Sequence, residues 1–80
     1  MDNQQNTKED FIITNRASIG KEICRFRSIK GLSQAQLADI MGISRATISK
    51  IENGKFAISV DYLAKFAWHL DFDVRLSERV

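Results

Sequence analysis

Apolar residues recur every three or four positions through most of the chain, and this spacing changes to strict alternation near its end. Ile19, Ile23 and Phe26 share one helical face, which predicts a first helix from Arg16 to Lys30. Three further segments repeat the spacing, and their apolar positions are Leu37, Ala38 and Met41, then Ile48 and Ile51, then Val60, Leu63, Phe66, Ala67 and Leu70. The pattern therefore predicts a mainly α fold.

Capping residues divide the middle of the chain into two short helices. Ser33 and Gln36 match a capping box at the start of the second helix. Gly42 is placed to end that helix in the left-handed conformation, and Ser44 is placed to cap the third helix. Two helices of about two turns joined by a three-residue turn are the signature of a helix-turn-helix.

The N-terminal residues differ from this helical region. Residues 1–10 are polar, and their composition predicts a disordered tail. The next four residues, Phe11–Thr14, are either an apolar lead-in to the first helix or a short strand. Residues 11–70 then form the predicted helical domain.

The C-terminal segment, residues 71–80, has a two-residue period. Phe72, Val74 and Leu76 alternate with charged residues, which is typical of a half-buried strand. The chain offers this strand no partner except Phe11–Thr14, and an unpaired strand edge is costly. We therefore expect the strand to pair with that of a second copy about a two-fold axis.

Charge changes the picture because it is unevenly placed. The net charge of the whole chain is +2, but residues 16–55 hold eight cationic and three anionic residues, a net +5. The flanking segments, 1–15 and 56–80, carry −2 and −1. A basic middle is expected of a surface that faces a polyanion, although chance also produces such an imbalance in a short chain.

The outward face of the third helix has the chemistry that such a surface needs. Ala46, Ser49, Lys50 and Asn53 lie at i, i+3, i+4 and i+7, with Arg45 beside them. Slim, hydrogen-bonding or cationic side chains suit a helix that enters the major groove of DNA. The alternative is a polar face that is simply solvated.

Composition argues against several other classes of protein. Cys24 is the single cysteine and His69 the single histidine, so we expect no intrachain disulfide, no metal and no cofactor. No glycine-rich phosphate loop occurs, and we expect no enzymatic activity. No apolar run is long enough to span a membrane and the N-terminus has no signal-peptide pattern, so the expected location is the cytoplasm.

Several short motifs occur together between residues 19 and 55. They are Arg27, "GLSQ" at 31–34, "LA" at 37–38, "GIS" at 42–44 and "ISKIENG" at 48–54. In this combination the segment resembles the Xre/Cro phage-repressor family of helix-turn-helix DNA-binding domains. With the fourth helix, the resemblance covers about 50 residues. It implies a lambda-repressor-like domain of four to five helices, here followed by the C-terminal strand.

The resemblance also implies a role for individual residues. It places three side chains of the third helix against DNA bases: Arg45, Ala46 and Lys50. Ser49, which lies on the same outward face, is predicted to contact bases with them. The resemblance places five others against the DNA backbone: Gln34, Ser44, Thr47, Asn53 and Lys55. It further implies an ion pair between Arg27 and Glu52 that holds the third helix against the first. Three positions depart from the family. Ile58 stands where proline often precedes the cap of the fourth helix, Asp71 stands where glycine is common, and Trp68 stands where a polar residue is usual.

The implied function is sequence-specific binding of double-stranded DNA by a homodimer that regulates transcription, as a repressor of bacterial or phage origin. The alternating C-terminal segment resembles the ending of HipB- and HigA-type antitoxins, in which a short strand pairs across the dimer. The alternative function is therefore an antitoxin that binds a toxin protein and controls its own promoter. We expect Trp68 to pack under the C-terminal strand, at a dimer interface or in the core.

Overall fold

The computed structural model describes residues 7–79, and within that range the chain forms four helices and no strand. Helix α1 spans Lys8–Ile29, α2 spans Gln34–Met41, α3 spans Arg45–Glu52 and α4 spans Val60–Leu70. The predicted mainly α architecture is confirmed. The helix-turn-helix pair is α2 and α3.

One core lies between the helices, because α1 packs against both α3 and α4 while α2 packs against α3. Every helix contributes to it, and its buried residues are Ile23, Leu37, Ala38, Ile48, Ile51, Phe66 and Leu70. Most of the apolar positions predicted to face inward are in this set or packed directly against it. The helical spacing of apolar residues therefore located the core correctly.

The turn between α2 and α3 forms as its capping residues predict. The Ser33 hydroxyl accepts a hydrogen bond from the Gln36 amide at 3.0 Å, and the Gln36 side chain accepts one from the Ser33 amide at 2.8 Å. Gly42 follows α2 with φ of +68°, a conformation in which a β-carbon is disfavoured. The Ser44 hydroxyl then accepts the Thr47 amide at 3.1 Å and begins α3.

Helix α1 begins two turns earlier than predicted. Its cap is Thr7, whose hydroxyl accepts the Asp10 amide at 3.1 Å. Thr14 and Asn15, the polar residues just before the predicted start, lie inside the helix, and the Asn15 side-chain amide donates to the Phe11 carbonyl at 2.9 Å. The strand alternative for Phe11–Thr14 is therefore wrong. The predicted disordered tail cannot extend past residue 7, and residues 1–6 lie outside the described range.

The segment after α4 lies along α1. The ring of Phe72 stacks on Phe26 at 4.9 Å between centroids, and the guanidinium of Arg79 lies 5.0 Å from the ring centroid of Phe11. The two α1 residues are 15 positions apart, which is about 22 Å along a helix. Residues 72–79 contain no helix, turn or bend, so they follow an open course along α1. We call this extended segment, residues 72–79, the tail.

The predicted C-terminal strand is wrong for the single chain, although its extended course is present. A strand requires a neighbouring strand for its backbone hydrogen bonds, and the one candidate inside the chain, Phe11–Thr14, is helical. The three alternating residues have different surroundings. Phe72 packs against α1 of its own chain, whereas Val74 is 45% exposed and Leu76 is 99% exposed.

Candidate nucleic-acid interface

Helix α3 presents a polar face to solvent because its two isoleucines hold the other face in the core. Ile48 and Ile51 are 0% and 3% exposed. On the opposite side, four of the predicted DNA-contacting residues are exposed: Arg45, Ala46, Lys50 and Asn53. Ser49 lies half-buried at the edge of this face. The structure thus brings the predicted base-contacting residues to one outward surface, which we call the α3 face.

A cluster of three side chains fixes the C-terminal end of α3. Arg27 of α1 donates two hydrogen bonds to the Glu52 carboxylate, from Nε at 2.7 Å and from Nη2 at 2.9 Å. Its Nη1 donates to the Leu32 carbonyl at 2.8 Å, and Gln34 of α2 donates to Glu52 Oε1 at 3.0 Å. The ion pair implied by the resemblance is thus present. It joins α1, α2 and α3 through a single carboxylate.

Burial and hydrogen bonding have opposite effects on the pKa of the Glu52 carboxylate. Burial by itself raises the pKa of Glu52, but the hydrogen bonds from Arg27 and Gln34 outweigh it, so that the pKa of Glu52 lies below its ordinary value. The hydrogen bond with Glu52 raises the pKa of Arg27. The pair is therefore fully charged at neutral pH. Its bidentate geometry is the strongest form of such a contact.

Gly20 allows the end of α3 to approach α1 closely, and sequence reasoning missed this residue. A β-carbon at position 20 would lie against the carbonyl oxygen of Ile51 and 2.8 Å from that of Glu52. Only hydrogen fits this contact between backbones. The available signal was a glycine inside an otherwise helical pattern, which commonly marks a packing requirement.

The five residues predicted to contact the DNA backbone flank the α3 face, and several already have partners within the chain. The Gln34 amide donates to Glu52. The Ser44 and Thr47 hydroxyls lie 2.8 Å apart at the start of α3. The side-chain amide of Asn53 donates to the Ser49 carbonyl at 2.8 Å. Lys55 is exposed just beyond α3, where its backbone amide donates to the Lys50 carbonyl at 2.8 Å.

Comparison with known proteins identifies the architecture. A family model described as "Helix-turn-helix" matches residues 26–75, which include the whole of α2 and α3. The chain belongs to the helix-turn-helix family. The match confirms the kinship with Xre/Cro-type domains that the motifs of residues 19–55 indicate.

A curated relative supports this family assignment. An uncharacterized HTH-type transcriptional regulator of Rickettsia conorii is 36% identical over 67 residues, covering 84% of this chain and 54% of the relative. The chain thus spans about half the length of the curated relative that it matches. What the two proteins share is the helix-turn-helix domain.

The described residues show neither a metal site nor a membrane-spanning helix. Among residues 7–79, no group of histidine, cysteine and acidic side chains is arranged to hold a metal ion. None of the described helices combines the length and the apolar character needed to cross a membrane. Cys24 lies half-buried beside Arg27, whose Nη2 is 3.5 Å from its sulfur.

Proposed function

We propose that this helix-turn-helix protein binds double-stranded DNA with sequence specificity and regulates transcription as a homodimer. The observation that carries the proposal is the α3 face. Two cations and a small side chain are exposed on a helix whose opposite side is buried and whose end is held by Arg27 and Gln34. A rigidly supported helix of this kind fits the major groove.

The exposed side chains of α3 have distinct chemistry toward base edges. Arg45 donates two hydrogen bonds to O6 and N7 of guanine, and Lys50 donates to the same acceptors or to a phosphate. Ala46 packs against a thymine methyl group, and Ser49 hydrogen-bonds a base edge from the half-buried margin of the face. Sequence preference should thus depend most strongly on Arg45, because the paired N–H donors of its planar guanidinium make the most directional contact.

Contacts to the DNA backbone would set the position of α3 in the groove. The amides at the start of α2 and the Gln34 side chain lie beside the α3 face and favour a phosphate. Ser44 and Thr47 at one end, and Asn53 and Lys55 at the other, bracket the face along the helix. Because such contacts are electrostatic, they predict affinity that falls steeply with salt.

A homodimer would present two α3 helices to a palindromic site. Half-sites would then lie about 34–36 Å apart, which is one turn of DNA. The tail supports self-association, because it is extended and exposes Val74 and Leu76. We propose that two tails pair as antiparallel strands across the two-fold axis, which would complete the backbone hydrogen bonds that a lone strand lacks. A dimer bound at a promoter excludes polymerase, so the proposed regulation is repression.

The experiment that tests this proposal is selection of bound sequences from random DNA duplexes by the wild-type protein. We expect enrichment of a palindrome with guanine in each half-site and half-site centres about one DNA turn apart. Enrichment of a single, non-repeated half-site would contradict the homodimer while retaining DNA binding. Recovery of unenriched sequences at low salt would contradict sequence-specific recognition.

An antitoxin that binds a toxin protein is the second candidate function. One observation favours it, namely that the first half of α1 exposes three consecutive large apolar residues. Phe11, Ile12 and Ile13 are 52%, 44% and 57% exposed, and apolar patches of this kind mark sites of protein contact. Co-purification with the product of a neighbouring gene, lost in Phe11→Ser with Ile13→Ser, would support this function.

A further inference from the structure

The most exposed large aromatic residue of the described chain is Trp68 on α4. Its side chain is 81% exposed, so the expectation that it packs in the core or under the tail is wrong. A tryptophan presents on the order of 200 Å² of mostly apolar surface. Val60, at the start of α4, is 72% exposed as well. This concentration of apolar surface is typical of a contact site.

A shallow hollow lies directly beside Trp68. It is lined by Trp68 itself, by two small residues of α4, Ala64 and Ala67, and by the beginning of the tail, including Asp73 and Val74. The volume of the hollow is about 540 Å³, and it is open to solvent. An exposed indole and a small-residue hollow thus lie side by side on one surface.

We propose that Trp68 of each protomer inserts into this hollow on a second copy of the chain. The arrangement is self-complementary, because in a two-fold contact each surface offers both the projecting group and the space that receives it. The proposal rests on the homodimer of the proposed function and specifies where that dimer is held. It also brings the two tails to the same interface, since the tail forms one wall of the hollow.

The polar groups at the rim of the hollow suit an indole ring. A buried tryptophan requires an acceptor for its N–H group, and the tail offers the Asp73 carboxylate. The contact of Asp73 with Arg75 is long, at 3.4 Å between exposed side chains, so it costs little to replace. The Asp71 carboxylate on the same rim is paired with Lys30. Asp73 is therefore the acceptor that we assign to the partner's indole.

Apolar area also favours a second copy as the occupant. A standard interface removes about 800 Å² from each partner. The two indoles, the two hollows and Val74 of both chains supply part of the apolar area. Val60 and Leu76 are exposed along the neighbouring groove, which Val74 also lines, and would extend that area. A buried tryptophan at the centre of an interface commonly contributes 2 kcal/mol or more. Loss of the indole should thus weaken the dimer about 30-fold or more.

The single tryptophan makes the contact directly measurable, because Trp68 accounts for all indole fluorescence of the chain. We expect its emission to shift to shorter wavelength as protein concentration rises, in parallel with dimer formation in sedimentation equilibrium. Ala64→Gln fills the hollow and should abolish both changes. Ala35→Gln, the same substitution at an exposed alanine of α2, is the matched control and should behave as wild type. Circular dichroism confirms that each variant is folded.

The outcomes separate this inference from the proposed function. A dimer whose Trp68 emission does not shift, or one that survives in Ala64→Gln and Trp68→Ala, would overturn the Trp68 contact and leave the homodimer standing. A chain that stays monomeric at all concentrations would overturn both. Arg45→Ala with Lys50→Ala should still dimerise with the full shift in emission, because those residues lie on the α3 face.

Discussion

At the scale of single residues, two positions determine how α3 is held, and they differ in how visible they are in the sequence. The structural role of Glu52 can be predicted from the resemblance to the Xre/Cro family, because an acid near the C-terminus of a helix is otherwise unfavourable. The role of Gly20 cannot be predicted in this way. It depends on the backbone of α3 lying directly against position 20, and this contact arises only when α3 packs on α1. Each makes a prediction about stability.

The Glu52 carboxylate should stabilise the fold in a pH-dependent manner. Its folded-state pKa is lowered, so its contribution is present above the unfolded pKa of about 4.3 and is lost as pH falls through the folded value. Glu52→Gln should lower the free energy of unfolding at pH 7 by about 1.5–3 kcal/mol, and the difference from wild type should shrink between pH 5 and pH 3. Urea denaturation across this range measures it.

The matched control for this experiment is Glu22→Gln. Glu22 is also paired with an arginine, Arg25, and its pKa is also lowered, but both side chains are more than half exposed. Solvent screens such a pair, so the control should change stability little. An equal loss in both variants, or a loss in Glu52→Gln that is the same at pH 3 as at pH 7, would refute the role assigned to Glu52.

Gly20→Ala should destabilise the protein, although alanine is ordinarily the better helix former by about 1 kcal/mol. The added methyl group would meet the carbonyl oxygens of Ile51 and Glu52, and overpacking of this kind costs about 1–3 kcal/mol. Ser18→Ala, at an exposed site in the same helix, should be neutral or slightly stabilising. Thermal denaturation compares the two, and a Gly20→Ala variant at least as stable as wild type would count against the close contact.

At the scale of secondary structure elements, local capping residues decided which predictions held. The boundaries of α2, α3 and α4 follow from Ser33, Ser44 and Ser59, each of which accepts the amide hydrogen bond expected of a cap. The predicted start of α1 is wrong because Phe11–Thr14 has strand propensity, which argues against a helix that begins before it. The acidic residues that follow Thr7 are typical of the first turn of a helix and could have indicated the true start. The tail has the two-residue period of a strand, but a strand forms only when another strand pairs with it. The alternating pattern does not show whether such a partner exists.

The end of α4 offers a test of backbone conformation at the element scale. Asp71 follows the helix with φ of 59°, a left-handed conformation in which most residues with a β-carbon cost about 1 kcal/mol or more relative to glycine. Asp71→Ala should therefore lower stability by about 1 kcal/mol, or 4–8 °C in Tm, whereas Asp71→Gly should not. Glu78→Ala, in the exposed tail, controls for loss of charge, and equal Tm values for the alanine and glycine variants would exclude the strain.

At the scale of the whole molecule, the chain presents two surfaces of different chemistry. Residues 16–55, which run from α1 to just beyond α3, carry a net +5, and the α3 face within them exposes polar and cationic side chains. By contrast, α4 and the tail expose apolar residues between mildly acidic groups. The first suits a polyanion and the second suits another protein surface. This division would allow the proposed DNA binding and the proposed self-association to occur on separate surfaces at the same time.

The central claim, that the α3 face recognises DNA, is tested most directly by the affinity of Arg45→Ala with Lys50→Ala for the selected duplex at fixed salt. Lys8→Ala with Lys65→Ala removes the same charge from exposed sites outside the basic segment and is the control. Two base contacts should contribute about 1–3 kcal/mol each, so we predict a loss of affinity of at least 10-fold in the α3 variant, with sequence preference lost, and little change in the control. Equal affinities for the two variants would contradict recognition by α3.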